Sequence, residues 1–433
     1  MVASGVIAIV IFVLLLASIL FLPSVKVGKV RLGTYWMVAF LGAVLLLACR
    51  LVDIGDVWRM LTASGDINPL KILALFFAMT FISVMLDEAG FFRYLAAKAV
   101  RIARANQTAL FLALYALTAV LTVFTSNDVV ILTLTPFICF FCKNTEADPV
   151  PYLVGEFAAA NTWSMMLVIG NPTNIYLATS WGVGFVDYFK VMALPTVAAG
   201  LVEMGLIMLL FARRLQKPLA VHVDDFRIER KADLVVGLIH MVVCLVFLVV
   251  SGYISVPMWL VAVVAAGSLL VCTVVIRLVR RDGWASFGRS LGRLPWQLVP
   301  FVLAMFVIVV CLDTQGISAR ISALLGQKAP IWTYGGASYF ASNLINNIPM
   351  SMLFATLPQG LNADALRQAV FASVVGSNVG AFLTPIGALA GIMFTDLTRT
   401  HGVDYGFRRF IAYGAAVSVP TLAVALGVLA LML

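Results

Sequence analysis

Long apolar runs joined by short polar loops leave this chain few ways to fold. Gly5–Leu22, Tyr35–Cys49, Leu70–Leu86, Leu234–Ser251 and Val256–Ile276 hold between them a single Asp, Glu, Lys or Arg, the lysine Lys71. About 20 predominantly apolar residues make a helix that crosses ~30 Å of hydrocarbon, whereas barrel strands alternate over about 10 residues. Such runs predict membrane-spanning helices and exclude a barrel. Composition agrees, with 62% hydrophobic and 11% charged residues, against about 25% charged in soluble domains. The net charge of +9 does not indicate nucleic-acid binding, because the basic residues sit in the short loops. The first run lacks a basic start and a small-residue cleavage site, so it reads as a retained span.

Charge sets the sidedness. Lys26, Lys29 and Arg31 follow the first run, and Arg213, Arg214, Lys217, Arg227, Arg230 and Lys231 cluster mid-chain. Arg277, Arg280, Arg281, Arg289 and Arg293 form another basic loop, and Arg399, Arg408 and Arg409 the last. The positive-inside rule places these loops in the cytoplasm and Arg50–Asp66, with Asp53, Asp56 and Asp66, outside. Phe91–Arg104 and Asp313–Gln327 mix charge with bulky apolar residues and suit helices lying in the interface. Both termini then fall outside, in a multi-pass protein of a cell membrane, of the bacterial inner-membrane type.

Polar breaks inside apolar sequence are costly, because hydrocarbon offers no partner for freed backbone groups; they persist where backbone is buried or lines a cavity. Two stretches hold them. Thr125–Asn174 contains Thr125-Ser126-Asn127-Asp128, Asn161-Thr162 and Gly170-Asn171-Pro172-Thr173-Asn174. Ser342–Gly391 contains Ser342-Asn343, Asn346-Asn347-Ile348-Pro349, Gly376-Ser377-Asn378 and Thr384-Pro385-Ile386-Gly387. Leu86-Asp87-Glu88-Ala89-Gly90 also matches Leu312-Asp313-Thr314-Gln315-Gly316. The fold expected is an all-α integral membrane protein of about ten transmembrane helices plus two re-entrant hairpins, in two inverted repeats with broken helices. Residues 1–69 form an N-terminal two-span segment. Residues 70–212 are repeat one, with a cytoplasmic-side hairpin and a helix broken near 170–174. Residues 213–296 supply cytoplasmic loops and a central two-helix linker. Residues 297–433 are repeat two, with an external-side hairpin and a helix broken near 376–387. Two full crossings in place of the first hairpin would give the same sidedness; the polar turn and the second repeat favour the hairpin.

Amide, hydroxyl and carbonyl oxygens are hard donors suited to Na⁺, to an oxyanion or to a neutral hydroxyl species. Ser126, Asn127, Asp128, Asn161, Thr173 and Asn174 supply one candidate set, and Asn343, Asn346, Asn347, Ser377, Asn378 and Thr384 the other. The plainer reading is interhelical packing, which suits a single Ser or Thr best. Asp128 is the sharpest residue, since an intramembrane carboxylate defaults to ion or proton work and desolvation favours the neutral form of any carboxyl. Capping the helix Val129–Phe141 is its structural alternative. Glu156 is expected to mark the cytoplasmic interface near water, and Asp87 and Asp313 to anchor the interfacial helices. Cys139 and Cys142 form a Cys-x-x-Cys that reads first as apolar filler, with no His or third Cys nearby. No P-loop occurs, and His222, His240 and His401 are scattered.

These motifs resemble the ion-transporter superfamily that includes arsenite efflux permeases, NhaD-type sodium/proton antiporters and divalent anion/sodium symporters. Asn127-Asp128 and Asn346-Asn347-Ile348-Pro349 look closest to the arsenite permeases. The sodium–dicarboxylate branch is marked by Ser-Asn-Thr in both hairpins, and here the first reads Ser126-Asn127-Asp128 and the second Ser342-Asn343-Leu344. The resemblance implies a secondary transporter with elevator-like or rocking motion, exporting arsenite or antimonite on a proton gradient with Asp128 as carrier. Sodium-coupled transport of a small anion, or sodium/proton exchange, is the alternative, with Na⁺ held at the same hairpin and helix-break residues. An intramembrane enzyme would want a nucleophile with a base, or a metal cluster, at one depth, and neither is visible. The expected partners are a small inorganic oxyanion or neutral hydroxide, membrane lipid and a second copy in a homodimer. No nucleic acid is expected, nor any cofactor beyond Na⁺ or H⁺ as coupling ion.

Overall fold

The computed structural model describes residues 30–62, 68–103, 106–217 and 230–433, together with 24–27, 228 and scattered positions between 7 and 18. The expected first span Gly5–Leu22 therefore lies mostly outside the described residues, as do Lys29, Asp66, Arg104, His222 and Arg227. One element is not helical: β1 (Ser24–Val27) pairs antiparallel with β2 (Val30–Gly33), placing Lys26 opposite Arg31. It leads into α1 (Thr34–Ala48), and the acidic loop beyond holds the short helix α2 (Ile54–Thr62).

The rest falls into two units of the same element order. In the first, α3 (Pro69–Glu88) ends at Gly90, whose φ of 88° is open to glycine, and turns into the amphipathic α4 (Phe91–Ala103). Phe92, Ala96 and Val100 are buried on α4 while Arg93, Lys98 and Arg101 are exposed. A helix pair follows, α5 (Gln107–Phe124) and α6 (Asn127–Asn144), then α7 (Val150–Trp163). Past an irregular stretch come α8 (Pro172–Thr179) and α9 (Phe185–Leu210), the latter closed by a helical turn, Ala212–Leu215. The linker pair α10 (Lys231–Ser251) and α11 (Met258–Arg280) precedes a helix inside the basic loop, α12 (Ala285–Gly292). The second unit repeats the order. It runs α13 (Leu298–Thr314), Gly316 at φ 71°, α14 (Ile317–Leu325), the pair α15 (Pro330–Ile345) and α16 (Asn347–Thr356), the broken α17 (Ala363–Gly380) and α18 (Leu389–Thr400), and α19 (Phe407–Met432).

Six of the described helices, α3, α5, α9, α10, α11 and α19, are long and apolar enough to cross a membrane. The pair α13–α14, bent by 76°, would make a seventh. The other expected spans are broken, short or undescribed; α1, with 15 residues, rises only ~22 Å. The outer faces of α10 and α11, with Val242, Val246, Val264 and Val271 exposed, are apolar as a lipid-facing surface must be.

Packing ties the units together reciprocally. The short arm α8 of the first break lies against α16 of the second helix pair, α18 of the second break lies against α6 of the first, and α9 packs on α19. Within the second unit α15 and α17 approach closely because Gly376 and Gly380, one turn apart, face Ser338, Ser342 and the backbone of Gly335 and Tyr339.

Candidate functional site

The two helix pairs turn at the positions their polar residues predict. Thr125 and Ser126 join α5 to α6. Thr125 Oγ1 donates back to Leu121 O at 2.6 Å, while the buried Ser126 hydroxyl has no hydrogen-bond partner among the described residues. Asn127, 1% exposed, accepts the Asp128 amide at 2.9 Å and lies with its Nδ2 3.4 Å from Asn161 Oδ1. Ser126 holds the capping position of α6, so Asp128 sits inside the first turn, half-buried, where the helix dipole favours a negative charge.

In the second pair the turn is Asn346 alone, at φ 69° and ψ 152°, a positive-φ conformation outside the left-handed helical region that residues with a Cβ rarely adopt. The freed backbone of the second break is accounted for by this turn. Asn346 Nδ2 donates to Ile386 O at 3.1 Å and the Asn347 amide to Gly387 O at 3.0 Å. Asn343 Nδ2 donates to Gly380 O at 2.9 Å, and its Oδ1 accepts Thr384 Oγ1 at 2.6 Å. Helix pair and break are thus latched into one body.

A third cluster joins the two breaks. Asn378 Oδ1 accepts Ser164 Oγ at 2.8 Å and Asn171 Nδ2 at 2.9 Å, and Asn378 Nδ2 donates to Asn174 Oδ1 at 2.6 Å. Asn174 returns its own amide to Ser164 O at 2.8 Å. Thr173 and Ser377, adjacent to these asparagines, have fully buried hydroxyls without a partner among the described residues. Each such hydroxyl costs ~1–3 kcal/mol unless an ion, water or substrate meets it. Ser164 and Asn171 belong to the site although the sequence did not single them out as ligands; Asn171 stands in the quoted Asn-Pro-Thr-Asn motif.

Several expectations need correction. Glu156 does not sit near water: it is 1% exposed, and both its oxygens accept from Thr135 Oγ1, at 3.0 and 2.9 Å. Its helix α7 is buried from Val150 onward, so distance along the chain misjudged its surroundings. Asp87 and Asp313 do not share a role. Asp87 is buried and pairs with Arg293 at 2.5 Å, whereas Asp313 is exposed. Glu203 passed unnoticed, although a lone acid deep in the apolar stretch of α9 was a signal. Cys139 and Cys142 are buried, unbridged thiols on α6.

The electrostatics narrow the chemistry. The fully buried charged residues among those described are Asp87, Glu156, Glu203 and Arg277, and Arg277 is held by Asp233 and Gly283 O on α11's own side of the molecule. The hydrogen bonds of the clusters around Asn127, Asn343 and Asn378 include no Lys, Arg or His. The lining is amides, hydroxyls and backbone carbonyls, with one carboxylate at its edge.

A bundle of apolar helices whose two broken members are joined through Asn378 in its interior is a multi-pass membrane transporter. The family described as "Citrate transporter" matches residues 27–376, and the chain belongs to that family. The arsenical pump membrane protein of Escherichia coli is 28% identical over 98% of both chains. Its counterpart from Yersinia enterocolitica is 28% identical over 90% of this chain and 92% of its own. The crystal structure of the Alcanivorax borkumensis YdaH transporter aligns with a TM-score of 0.57, covering 99% of this chain and 98% of that one at 15% identity, which shows a shared fold. Family and relatives alike are transporters and not enzymes.

Proposed function

We propose that the chain is a proton-coupled exporter of arsenite or antimonite, in a cell membrane with both termini external. The observation that carries this is the cation-free polar layer around Asn127, Asn174, Asn343 and Asn378. A multiply charged carboxylate substrate asks for Arg or Lys forks or for bound cations. A neutral hydroxide of a trivalent metalloid asks only for donors and acceptors, which these side chains supply. Asp128, half-buried at the first turn beside Asn127, is the proton carrier in this reading. Relatives named as arsenical pumps along nearly the whole chain support it.

The paired units are read as inverted repeats, with α5–α6 and α15–α16 as re-entrant hairpins. Length supports this for the second pair, since α16, with 10 residues, rises only ~15 Å, half the hydrocarbon thickness. A second reading is favoured by the unpartnered hydroxyls of Ser126, Thr173 and Ser377, which are hard oxygens fit for Na⁺. In that case Na⁺ supplies the positive charge a small anion needs, or exchanges for protons. Uptake into everted vesicles, assayed with arsenite, sulfate and dicarboxylates, with and without Na⁺ and a pH gradient, separates the two. Arsenite accumulation that follows the pH gradient and ignores Na⁺ is expected; accumulation of a dicarboxylate that follows Na⁺ at fixed pH would replace the first reading with the second.

A further inference from the structure

Glu203 lies in α9 where three elements of the first unit meet, and no part of the site described above uses it. It is fully buried. Its Oε1 is 2.9 Å from the Tyr115 hydroxyl of α5, and its Oε2 accepts the Thr162 hydroxyl at the end of α7. The Tyr115 hydroxyl also lies 2.7 Å from Gly200 O, and the Trp163 indole donates to it at 3.3 Å. Gly200 is required here, because a Cβ at this position would collide with the Trp163 ring. No cation is in contact. The other elements packed on α9 bring none into contact: Arg408 and Arg409 are confined to the first turn of α19, and Arg213 and Arg214 lie in the turn beyond the C-terminal end of α9. Lys231 and Asp233 stand in the first turn of α10, His240 bonds Val236 O and Ser268, and Glu156 of α7 bonds Thr135.

Counting protons makes the cluster informative. A phenol has one proton, and a backbone carbonyl can only accept. If Tyr115 donates to Gly200, the contact with Glu203 is a hydrogen bond only when the carboxyl carries the proton and donates it to the phenol oxygen. If Glu203 is ionised, Tyr115 must turn its proton to the carboxylate and abandon Gly200. The arrangement is complete in the protonated state and has a defined alternative in the ionised one. The second unit shows that such a junction does not need an acid. There Tyr339 of α15 meets α19 through Ser418 Oγ at 2.6 Å.

We propose that Glu203 is a second proton-binding residue, separate from Asp128, whose protonation is relayed to the transport site through α7. The relay is short. Asn161, Thr162, Trp163 and Ser164 are consecutive, and they contact Asn127, Glu203, Tyr115 and Asn378 respectively. Binding of one proton converts the carboxylate to a carboxyl, whose O–H bonds to Tyr115 while Tyr115 bonds to Gly200; release reverses both steps, with no other reactant. Any shift of Thr162 or Trp163 in this exchange moves the neighbours that hold the two polar clusters. The inference deepens the proton-coupled reading and rests on it for its role in transport, but proton binding itself can be measured without a substrate.

The test is infrared spectroscopy of the purified protein in lipid vesicles, titrated with pH alone, on the parent, Glu203→Gln and Tyr115→Phe. A titrating carboxyl C=O band is expected in the parent and is lost in Glu203→Gln. Tyr115→Phe, which keeps the acid and removes its phenol partner, shifts the band and its midpoint. A Glu203→Gln spectrum that keeps every titrating band of the parent would overturn the assignment. So would a Tyr115→Phe protein whose band and midpoint match the parent's, and this arm stands even if Glu203→Gln fails to insert. In everted vesicles, pH-driven arsenite uptake should be lost in Glu203→Gln. A parent that moves no arsenite overturns the efflux reading alone, and the infrared result then decides Glu203 by itself.

Discussion

Asn378 carries more of the site than any other single side chain, because its two amide atoms connect both helix breaks. Asn378→Ala would strand Asn171 Nδ2 and Asn174 Oδ1 in the interior, while the Ser164 hydroxyl keeps Asn161 O. Unsatisfied buried groups cost ~1–3 kcal/mol each, so a loss of roughly 3 kcal/mol is expected, read as a lower melting temperature in detergent. Asn378→Asp keeps the acceptor for Ser164 and Asn171 and, with its carboxyl protonated, one of the two donors to Asn174 Oδ1 and Val374 O, and at low pH should fall between parent and alanine variant. An alanine variant that melts with the parent would contradict the bridge. At this scale the sequence was partly legible. The Asn, Ser and Thr residues stood out because lipid-fit segments rarely hold them. Their partners did not, since Asn378 bonds to Asn174 across 204 positions and no local pattern encodes that. Glu156 was misjudged for the same reason: its burial is set by what packs on α7, and position within the run carries no information about that.

Among elements, the close approach of α15 and α17 depends on absent side chains. Gly380→Val would drive a Cβ into Ser342 Oγ and Tyr339 O. Overpacking of this kind costs ~1–3 kcal/mol, and backbone on the receiving side cannot rotate away. The expected result is a shift from a monodisperse peak to aggregate in size-exclusion chromatography. Gly427→Ala on α19, where a Cβ meets open space, should leave the profile unchanged. Most long helices and both breaks were legible, because apolar run length and Pro or Gly interruptions are local features. The second break was placed too early, since Gly376-Ser377-Asn378 remain helical and the helix ends only at Gly380. The β1–β2 hairpin and the helices α2 and α12 were hidden, being short segments inside loops read only for their charge.

At the scale of the molecule, the repeat was legible in order but not in contact. The two glycine turns at Gly90 and Gly316, and the pair-then-break sequence after each, follow from the matched motifs. The exchange of α8 and α18 between units is a tertiary fact that no motif announces. If the units are inverted, the turns at Ser126 and Asn346 lie inside the membrane. Cysteines placed there, in a background lacking the exposed Cys49, should resist a bulky impermeant maleimide that labels cysteines at the exposed Gly283 and Gly402. Full labelling at either turn would mean that helix pair crosses the membrane and is no hairpin.

In the proposed cycle a proton carried at Asp128 drives export through this cation-free layer. Arsenite uptake into everted vesicles under an imposed pH gradient, compared between the parent and Asp128→Asn, tests it most directly. Asparagine keeps the size of the residue and removes its titrating charge. The expected outcome is gradient-driven accumulation by the parent and none above empty vesicles by Asp128→Asn, with both proteins inserted to the same level. Accumulation by Asp128→Asn at the parent's rate in the same vesicles would mean that Asp128 is not the proton carrier.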